Sequence, residues 1–187
     1  MKKLALFIPV ILLLIVSSCD SRKSKIDRLK NSVSEFNNNQ KSIDLIDYYP
    51  KDYTEIKTDS IISNTFKVSV KNFTLKDQGI VLNQSIKNLN RTSKVHRVFV
   101  SNIVVSVEEK IIYDRQISVE KIRDLKSSEF WNNATLEHVW VNQEQSNSEY
   151  LSLGVSVINP TNKAFRLYEL LIDRLGNERL LLIEDHS

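Results

Sequence analysis

The stretch of sequence that decides the fold reads Leu151-Ser152-Leu153-Gly154-Val155-Ser156-Val157. Apolar side chains alternate there with small or polar ones at a period of two. Successive side chains of a β-strand point to opposite faces of its sheet, so this pattern predicts a strand with one buried face. The same period recurs along most of the chain, and it predicts a mainly β protein.

The segments after this stretch predict a turn and a terminal hairpin. Residues 159–162 (Asn-Pro-Thr-Asn) are turn formers. Residues 165–173 and 178–184 have strand character and flank Leu-Gly-Asn at 175–177, where we expect the glycine to adopt a positive φ. Residues 180–183 (Leu-Leu-Leu-Ile) do not alternate, which predicts burial on both faces of the last strand.

Strand patterns also precede this stretch. Residues 66–71 alternate clearly, residues 54–62 alternate more weakly, and residues 94–107 form the longest β pattern of the chain. Residues 108–110 (Glu-Glu-Lys) predict a tight connection to another strand at 111–113. Together with the later segments, they give a β region from about residue 54 to residue 184.

Two segments show helical spacing instead. Ile26, Leu29, Val33 and Phe36 recur at steps of three and four residues, which predicts a short amphipathic helix. Residues 118–130 carry apolar side chains at similar spacing, and Ser118 is a suitable N-cap. The sequence therefore contains one helical segment on each side of the first group of strands.

The fold predicted from these segments is an antiparallel sandwich or a curled sheet of about eight strands, with one or two short helices. Parallel neighbours need a crossover of about a dozen residues or more, usually helical. Residues 118–130 are the one segment that offers such a crossover. We therefore expect mainly antiparallel pairing.

The N-terminus has the order of a secretion signal. Met1-Lys2-Lys3 is positively charged, and a 13-residue apolar run from Leu4 to Val16 follows it. The run ends in Val16-Ser17-Ser18-Cys19, which contains the one cysteine of the chain. This tetrad resembles the lipobox of bacterial lipoproteins, in which an aliphatic residue and two small residues precede the cysteine.

The lipobox resemblance implies that Cys19 is the lipid-attachment residue and that the chain is cut before it. It divides the chain into a signal peptide (1–18), an acylated tether with a short amphipathic helix (19–42) and a β-rich globular domain (43–187). Two or three acyl chains anchor a protein stably, whereas one does so only marginally. In enterobacteria, an aspartate directly after the acylated cysteine, the position of Asp20 here, retains a lipoprotein in the inner membrane. That rule is not general. We expect a lipid anchor in the cell envelope, with the outer membrane favoured.

Composition excludes several classes of protein. Loss of Lys2 and Lys3 with the signal lowers the formal net charge from +3 to +1, so nucleic acid is not an expected partner. A single cysteine means that no disulfide staples the domain. The chain has three glycines but seventeen asparagines, which can form turns in their place.

No catalytic residue, metal site or cofactor is predicted. The three histidines are His96, His138 and His186, and none lies three or four residues from another or beside a cysteine. Nucleophile-elbow, zinc-protease, P-loop and dinucleotide-binding sequences do not occur. We therefore expect a protein that is not an enzyme.

Three weaker signals each carry two interpretations. The basic cluster, formed by Arg91, Lys94, His96 and Arg97, indicates either a solvated sheet edge protected by lysine or a site for an acidic ligand or lipid headgroup. The aromatic residues Phe130, Trp131 and Trp140 indicate core packing, with a sugar-binding platform as the alternative. Asp59-Ser60-Ile61 resembles the acid–hydroxyl–aliphatic sequence that Bacteroidetes O-glycosylation systems modify, which implies glycosylation of Ser60, with chance occurrence as the alternative.

The mature domain also resembles small Bacteroidetes lipoproteins that are grouped as domains of unknown function. The segments that carry the resemblance are Phe66-Lys67-Val68-Ser69-Val70, Phe130-Trp131-Asn132-Asn133-Ala134, Asn159-Pro160-Thr161 and Asp173-Arg174-Leu175-Gly176-Asn177. They are packing and turn residues, so the resemblance implies a β-rich envelope domain and no site.

Two functions follow as expectations. The first is a membrane-anchored, non-enzymatic lipoprotein that binds or scaffolds an envelope protein or a glycan. The alternative is a lipoprotein of barrel type that binds a small ligand in an interior pocket. A filled sandwich core favours the first, and a cavity of about 300 Å³ or more favours the second.

Overall fold

The structure is a computed structural model that describes residues 25–39, 44–87, 90–123 and 129–186. The chain divides into two units, residues 1–42 and residues 43–187. Cys19 and the predicted signal peptide (1–18) lie outside the described residues, so the lipid-attachment site stays a prediction.

The described part of the first unit is helix α1 (Lys25–Asn39). The predicted apolar stripe of this helix is exposed, with relative exposures of 52–67% for Ile26, Leu29, Val33 and Phe36. Asp27, Arg28 and Lys30 lie off the stripe. Within the ranges that the structure describes, no helix has the length and apolar character that crossing a membrane requires.

The second unit is mainly β, as predicted. Its described residues form nine strands in two sheets and no closed barrel. The strands are β1 (Asp44–Tyr49), β2 (Glu55–Ile62), β3 (Phe66–Lys87), β4 (Asn90–Val107), β5 (Lys110–Ile117), β6 (Thr135–Val141), β7 (Tyr150–Asn159), β8 (Ala164–Asp173) and β9 (Glu178–His186). A short helix α2 (Val119–Ile122) and a 3-10 helix (Glu129–Asn133) lie between β5 and β6.

The first sheet is built on the long β3–β4 hairpin. Strand β4 pairs with β3 along one side, and on its other side with β1 and then with β5. Strand β2 pairs with the first half of β3. The β1–β4 pair is parallel. The expectation that only a helix near residue 118 could serve as a crossover is wrong here, because β2 and β3 themselves connect β1 to β4.

The second sheet is the antiparallel meander β6-β7-β8-β9. Its terminal hairpin has the predicted turn, in which Gly176 adopts φ +83°. In the first sheet the predicted tight connection between β4 and β5 is also present, with φ of 49° at Glu108 and 63° at Glu109. Two consecutive residues with positive φ match the twist of a two-residue hairpin.

The core between the two sheets is filled with aliphatic and aromatic side chains. Their inward rows supply the largest fully buried residues, which are Phe66, Val70, Ile103, Val105, Leu136, Val139, Leu151, Leu153, Val155, Val157 and Ile172. At one end Arg166 lies over the rings of Phe130 (4.6 Å) and Trp131 (5.1 Å) and pairs with Asp185 at 3.1 Å. Most of the stability of such a fold comes from burying these side chains.

Two polar side chains also join the sheets. Asn72 on β3 is buried, and its amide donates to the carbonyl of Val139 and accepts from the N–H of Val139, both at 2.9 Å. The hydroxyl of Thr135 on β6 accepts from the backbone N–H of Phe99 on β4 at 2.9 Å. These bonds satisfy the backbone N–H and C=O of Val139 on β6, the edge strand of its sheet, and the backbone N–H of Phe99 on β4.

Two predictions about elements need correction. Residues 118–130 do not form one helix, because α2 ends at Ile122 and a 3-10 helix begins at Glu129, with residues 124–128 outside the described residues. Strand β9 is not buried on both faces, since every residue in it is exposed or half-buried. It forms the edge of its sheet, and β8 is the one strand that pairs with it in the described part of the chain.

Candidate functional site

Ser60, the predicted glycosylation residue, lies on the edge strand β2. It pairs with Val68, whose side chain is buried, so the half-buried Ser60 hydroxyl lies on the core side of the strand. Asp59 lies on the outer side, where its carboxylate is 3.0 Å from Lys57 Nζ. A hydrogen bond from Ser69, followed by the bond from Lys57, lowers the pKa of Asp59. Glycosylation of Ser60 remains a prediction.

The basic cluster does not form one ligand site. Arg97 donates to three backbone carbonyls, those of Pro50 (3.0 Å), Lys76 (3.1 Å) and Lys51 (3.2 Å). Its guanidinium also lies 4.2 Å from the ring centroid of Tyr48. Arg97 therefore holds the chain after β1, and it is not available for an acidic ligand.

The interpretation of the basic cluster as a protected sheet edge also needs correction. Lys94 is exposed, but it lies between two paired strands, opposite Asn83 of β3 and Asp47 of β1. His96 packs against the ring of Tyr49 at 5.6 Å, and its Nδ1 is 2.8 Å from a backbone carbonyl. The cluster thus lies on β4, the central strand between β1 and β3, and not on an edge of the sheet.

The predicted absence of a metal site has no direct test in the structure. Within the ranges that the structure describes, the His, Cys, Asp and Glu side chains form no group of three or more that could hold a metal ion. His96, His138 and His186 lie on three different strands, β4, β6 and β9.

The first concave feature is the inter-sheet cleft, a space of about 280 Å³ where β5 and α2 face β7, β8 and β9. Its apolar walls are Ile117, Ile122, Val155, Leu170 and Leu180. Arg115, Lys121 and Glu178 form its polar rim. The cleft therefore joins an aliphatic interior to a rim with two cations and one anion.

A polar network closes one side of the inter-sheet cleft. Glu178 accepts from the hydroxyl of Tyr113 at 2.5 Å and from Arg115 at 3.1 Å. Burial, and then the bond to Glu178, raises the pKa of Tyr113 above its ordinary value of 10. Tyr113 therefore stays protonated and donates to the carboxylate, which links β5 of the first sheet to β9 of the second.

The second surface feature is centred on Trp140. The two tryptophans differ in their environment. Trp131 is 3% exposed and belongs to the core, as predicted for the aromatic residues. Trp140 is 36% exposed on the outer face of β6, and its ring is nearly parallel to that of His138, with centroids 6.1 Å apart. The alternative interpretation, a sugar-binding platform, therefore applies to Trp140 alone.

Gly154 supports the indole of Trp140. The two residues are directly paired across β6 and β7. A Cβ atom at Gly154 would lie 2.2 Å from Cε2 and 2.3 Å from Cζ2 of the indole, far inside contact distance. The ring therefore lies over the backbone of β7, and only glycine leaves room for it.

The ring borders a hollow of about 110 Å³ with both polar and apolar lining. Leu167, Tyr168 and Ile183 form its apolar part, and the remaining side chains are polar. The carboxylate of Glu169 accepts from the Ser152 hydroxyl at 2.7 Å, and the amide of Asn142 donates to Gln145 at 2.7 Å. We call the set of Trp140, Gly154, Ser152, Glu169, Asn142 and Gln145 the Trp140 platform.

The Trp140 platform could not be assembled from the sequence. Trp140, Gly154 and Glu169 form one row across three strands, because Trp140 pairs with Gly154 and Gly154 pairs with Glu169. That row depends on the register of two hairpins. The signal available in the sequence was the isolated glycine within a strand pattern, which indicates close approach by another group.

Comparison with known proteins adds no family assignment. No protein-family model matches the chain. No curated protein matches its sequence either. The functional conclusion therefore depends on the residues and the surfaces described above.

Proposed function

We propose that this chain is a lipid-anchored, non-enzymatic binding module of the bacterial cell envelope. The support for the anchor is the order of charge, apolar run and lipobox up to Cys19. Acyl chains on Cys19 would hold the protein in a membrane, with the outer membrane favoured. Residues 20–42, including α1, would connect the lipid to the β domain.

The observation that carries the binding role is the filled core between the sheets. Its buried side chains form one cluster contributed by both sheets, and among the described residues the space between the sheets that they leave open is the inter-sheet cleft. Recognition would therefore occur on the outside of the domain or at its open edges. An envelope protein or a glycan is the partner class that such surfaces suit.

The anchor is tested by labelling cells with a palmitate analogue and by partitioning extracts in Triton X-114. Wild-type protein should incorporate label and enter the detergent phase. Cys19→Ala should do neither, because the acylated sulfur is missing. Ser18→Ala is the matched control: it keeps a small residue before the cysteine and should label normally.

The opposite results would overturn the anchor. Unlabelled wild-type protein that still enters the detergent phase would show another mode of membrane association. Density-gradient separation of the two membranes then tests the location, with the outer membrane expected. Recovery in the inner membrane, and its relief by Asp20→Ser, would mean that the enterobacterial rule applies to this chain.

The inter-sheet cleft favours a second candidate function, the binding of a small amphiphilic anion. The barrel form of this idea is wrong, because the strands form two open sheets. The cleft nevertheless offers about 280 Å³ of apolar space beside Arg115 and Lys121. An aliphatic chain would occupy the space, and its carboxylate would meet the cations at the rim.

Calorimetric titration with decanoate tests this second candidate. Leu180→Trp should fill the cleft and abolish binding, whereas Leu182→Trp, on the same strand but outside the cleft, should leave it unchanged. Equal binding of decanoate and decanol would contradict a role for the cations. Failure of decanoate to bind the wild type would remove this candidate.

A further inference from the structure

We propose that the Trp140 platform binds neutral pyranose rings of an envelope polysaccharide. This inference rests on the proposed binding function and deepens it by giving the partner's chemical class. Three observations support it: the packing of the Trp140 indole over the backbone of Gly154, the polar groups near the indole and the charge of those groups.

The seating of the indole exposes a flat apolar surface. One face of the ring lies over the backbone at Gly154, where a Cβ atom would lie 2.2 Å from the ring. Trp140 is still 36% exposed although this face is covered, and the nearly parallel ring of His138 lies 6.1 Å away. A large aromatic side chain in this position is held rigid by the sheet and is ready to stack against a ligand.

A β-linked pyranose with equatorial substituents matches this surface. Its axial C–H groups form an apolar face, which can stack on an indole, while its hydroxyl groups point outward around the ring. On the platform these hydroxyls would meet the Glu169 carboxylate and the amides of Asn142 and Gln145. Fixed polar groups of this kind give orientation to a ligand held mainly by apolar contact.

The charge of the platform selects against acidic sugars. Glu169 lies in the same row as the indole, one strand beyond Gly154. A ligand carboxylate near it would be repelled, whereas a hydroxyl or an acetamido group could donate to it. The fitting ligand is therefore neutral.

The size of the hollow implies weak binding of single units. A volume of about 110 Å³ takes one ring at most, and only in part. A repeating polymer would compensate, because many lipid-anchored copies could contact it at once and raise the effective concentration at each site. The platform thus suits a polysaccharide better than a free monosaccharide.

The test uses the full chain, purified in a detergent without a sugar headgroup. It is titrated with chitotetraose and cellotetraose, and with tetragalacturonate and an α-linked mannotetraose as comparisons. Since Trp131 is 3% exposed, acrylamide quenching of tryptophan fluorescence reports almost entirely on Trp140. We expect the two β-linked neutral sugars to protect Trp140 from quenching, and the acidic and α-linked ones to protect it less.

Variants separate the platform from other surfaces in calorimetric titrations. Trp140→Ala should weaken binding at least about tenfold, which corresponds to ~1.4 kcal/mol. Gly154→Ala should act in the same direction while keeping both tryptophans, because the added Cβ displaces the indole. Tyr150→Ala, which removes an exposed aromatic side chain outside the platform, is the matched control and should bind normally. Circular dichroism checks that each variant is folded.

The outcomes distinguish this inference from the proposed function. If the sugars protect no tryptophan, or if Trp140→Ala binds them as the wild type does, the inference is wrong. Palmitate labelling tests the lipid anchor on Cys19, and its result does not depend on sugar binding. A labelled protein without sugar affinity overturns the glycan partner alone, and an unlabelled protein with sugar affinity overturns the anchor alone.

Discussion

Strands β7 and β9 belong to the same sheet, yet they relate to burial in opposite ways. In β7 the sequence alternates, but five consecutive residues, Leu151 to Val155, are all buried. In β9 the sequence is continuously apolar from Leu180 to Ile183, but every residue is exposed or half-buried. Alternation predicted one buried face for β7, and that face is buried, but Ser152 and Gly154 on the other face are buried too. The continuous apolar run predicted two buried faces for β9, and that prediction is wrong.

Position in the sheet explains the difference. Strand β7 lies between β6 and β8, its inner face meets the core, and the indole of Trp140 covers its outer face at Gly154. Strand β9 has one neighbour, and only part of its inner face meets other side chains. A sequence pattern reports which faces can be buried, whereas the neighbours decide which faces are buried.

The largest expected effect is the loss of β9 altogether. Truncation after Asp173 removes the partner strand of β8 and the Asp185 carboxylate that pairs with the nearly buried Arg166. Loss of the Asp185 carboxylate, which is itself 37% exposed, costs on the order of 1–3 kcal/mol at the nearly buried Arg166, and β8 would in addition become a bare edge. Urea denaturation should show a much lower midpoint, with aggregation.

An unchanged midpoint in a soluble truncated protein would contradict this prediction. It would mean that β9 is an appendage and that β8 is a sufficient edge. Asp185→Asn, which removes the charge alone, separates the ion pair from the strand pairing.

The next effect concerns the centre of β7. Leu153 is fully buried, so Leu153→Ala should destabilise the domain by about 2–5 kcal/mol through lost contacts and the cavity that remains. Thermal or chemical unfolding of the purified protein measures it. A loss below about 1 kcal/mol would show that the core around β7 collapses onto the gap, against the dense packing of a typical interior.

The matched substitution in β9 should have almost no effect. Ile183 is 57% exposed and is the extra residue where the register between β8 and β9 shifts. Ile183→Ser should change the free energy of unfolding by less than about 0.5 kcal/mol, as is usual for surface positions. A destabilisation comparable to that of Leu153→Ala would mean that β9 is covered in solution.

The smallest effect is a pH dependence at the turn between β8 and β9. Asp173 accepts from the Asn177 side chain and from backbone N–H groups of the turn, and these bonds lower the pKa of Asp173 below its ordinary value of 3.8. A carboxyl with a lowered folded-state pKa stabilises the fold above its unfolded-state pKa. That contribution is lost as the pH falls through the folded-state pKa.

Denaturation curves at several acidic pH values provide the test. The difference in unfolding free energy between the wild type and Asp173→Ala should shrink as the pH is lowered below the ordinary range of aspartate. A difference that stays constant with pH would contradict the role of the charged form.

Local signals in the sequence predicted the fold class and several turns. The Glu108–Glu109 connection, the positive φ of Gly176 and the antiparallel hairpins depend on residues close together in the chain. Asparagine side chains also form turns as expected: Asn147 and Asn162 accept backbone N–H groups two residues on. Such features follow from local steric and hydrogen-bond preferences.

Features that depend on distant residues were not predictable. The parallel β1–β4 pair, the indole of Trp140 over Gly154 and the bond between Asn72 and Val139 all join segments through the final registers of the sheets. A polar residue such as Asn72 gives no sign of its partner 67 positions away. The sequence therefore showed two tryptophans, Trp131 and Trp140, but it did not indicate that Trp131 is buried and Trp140 is exposed.

The amide of Asn72 has a consequence for how uniquely the two sheets can align. Valine, leucine and isoleucine side chains tolerate many relative placements, because dispersion forces have little directional preference. A buried amide accepts only one: sliding β6 by a single residue would leave Asn72 and the backbone of Val139 desolvated and unbonded. The Asn72 side chain thus disfavours alignments of the two sheets that differ from the native one by a shift of β6 along its axis.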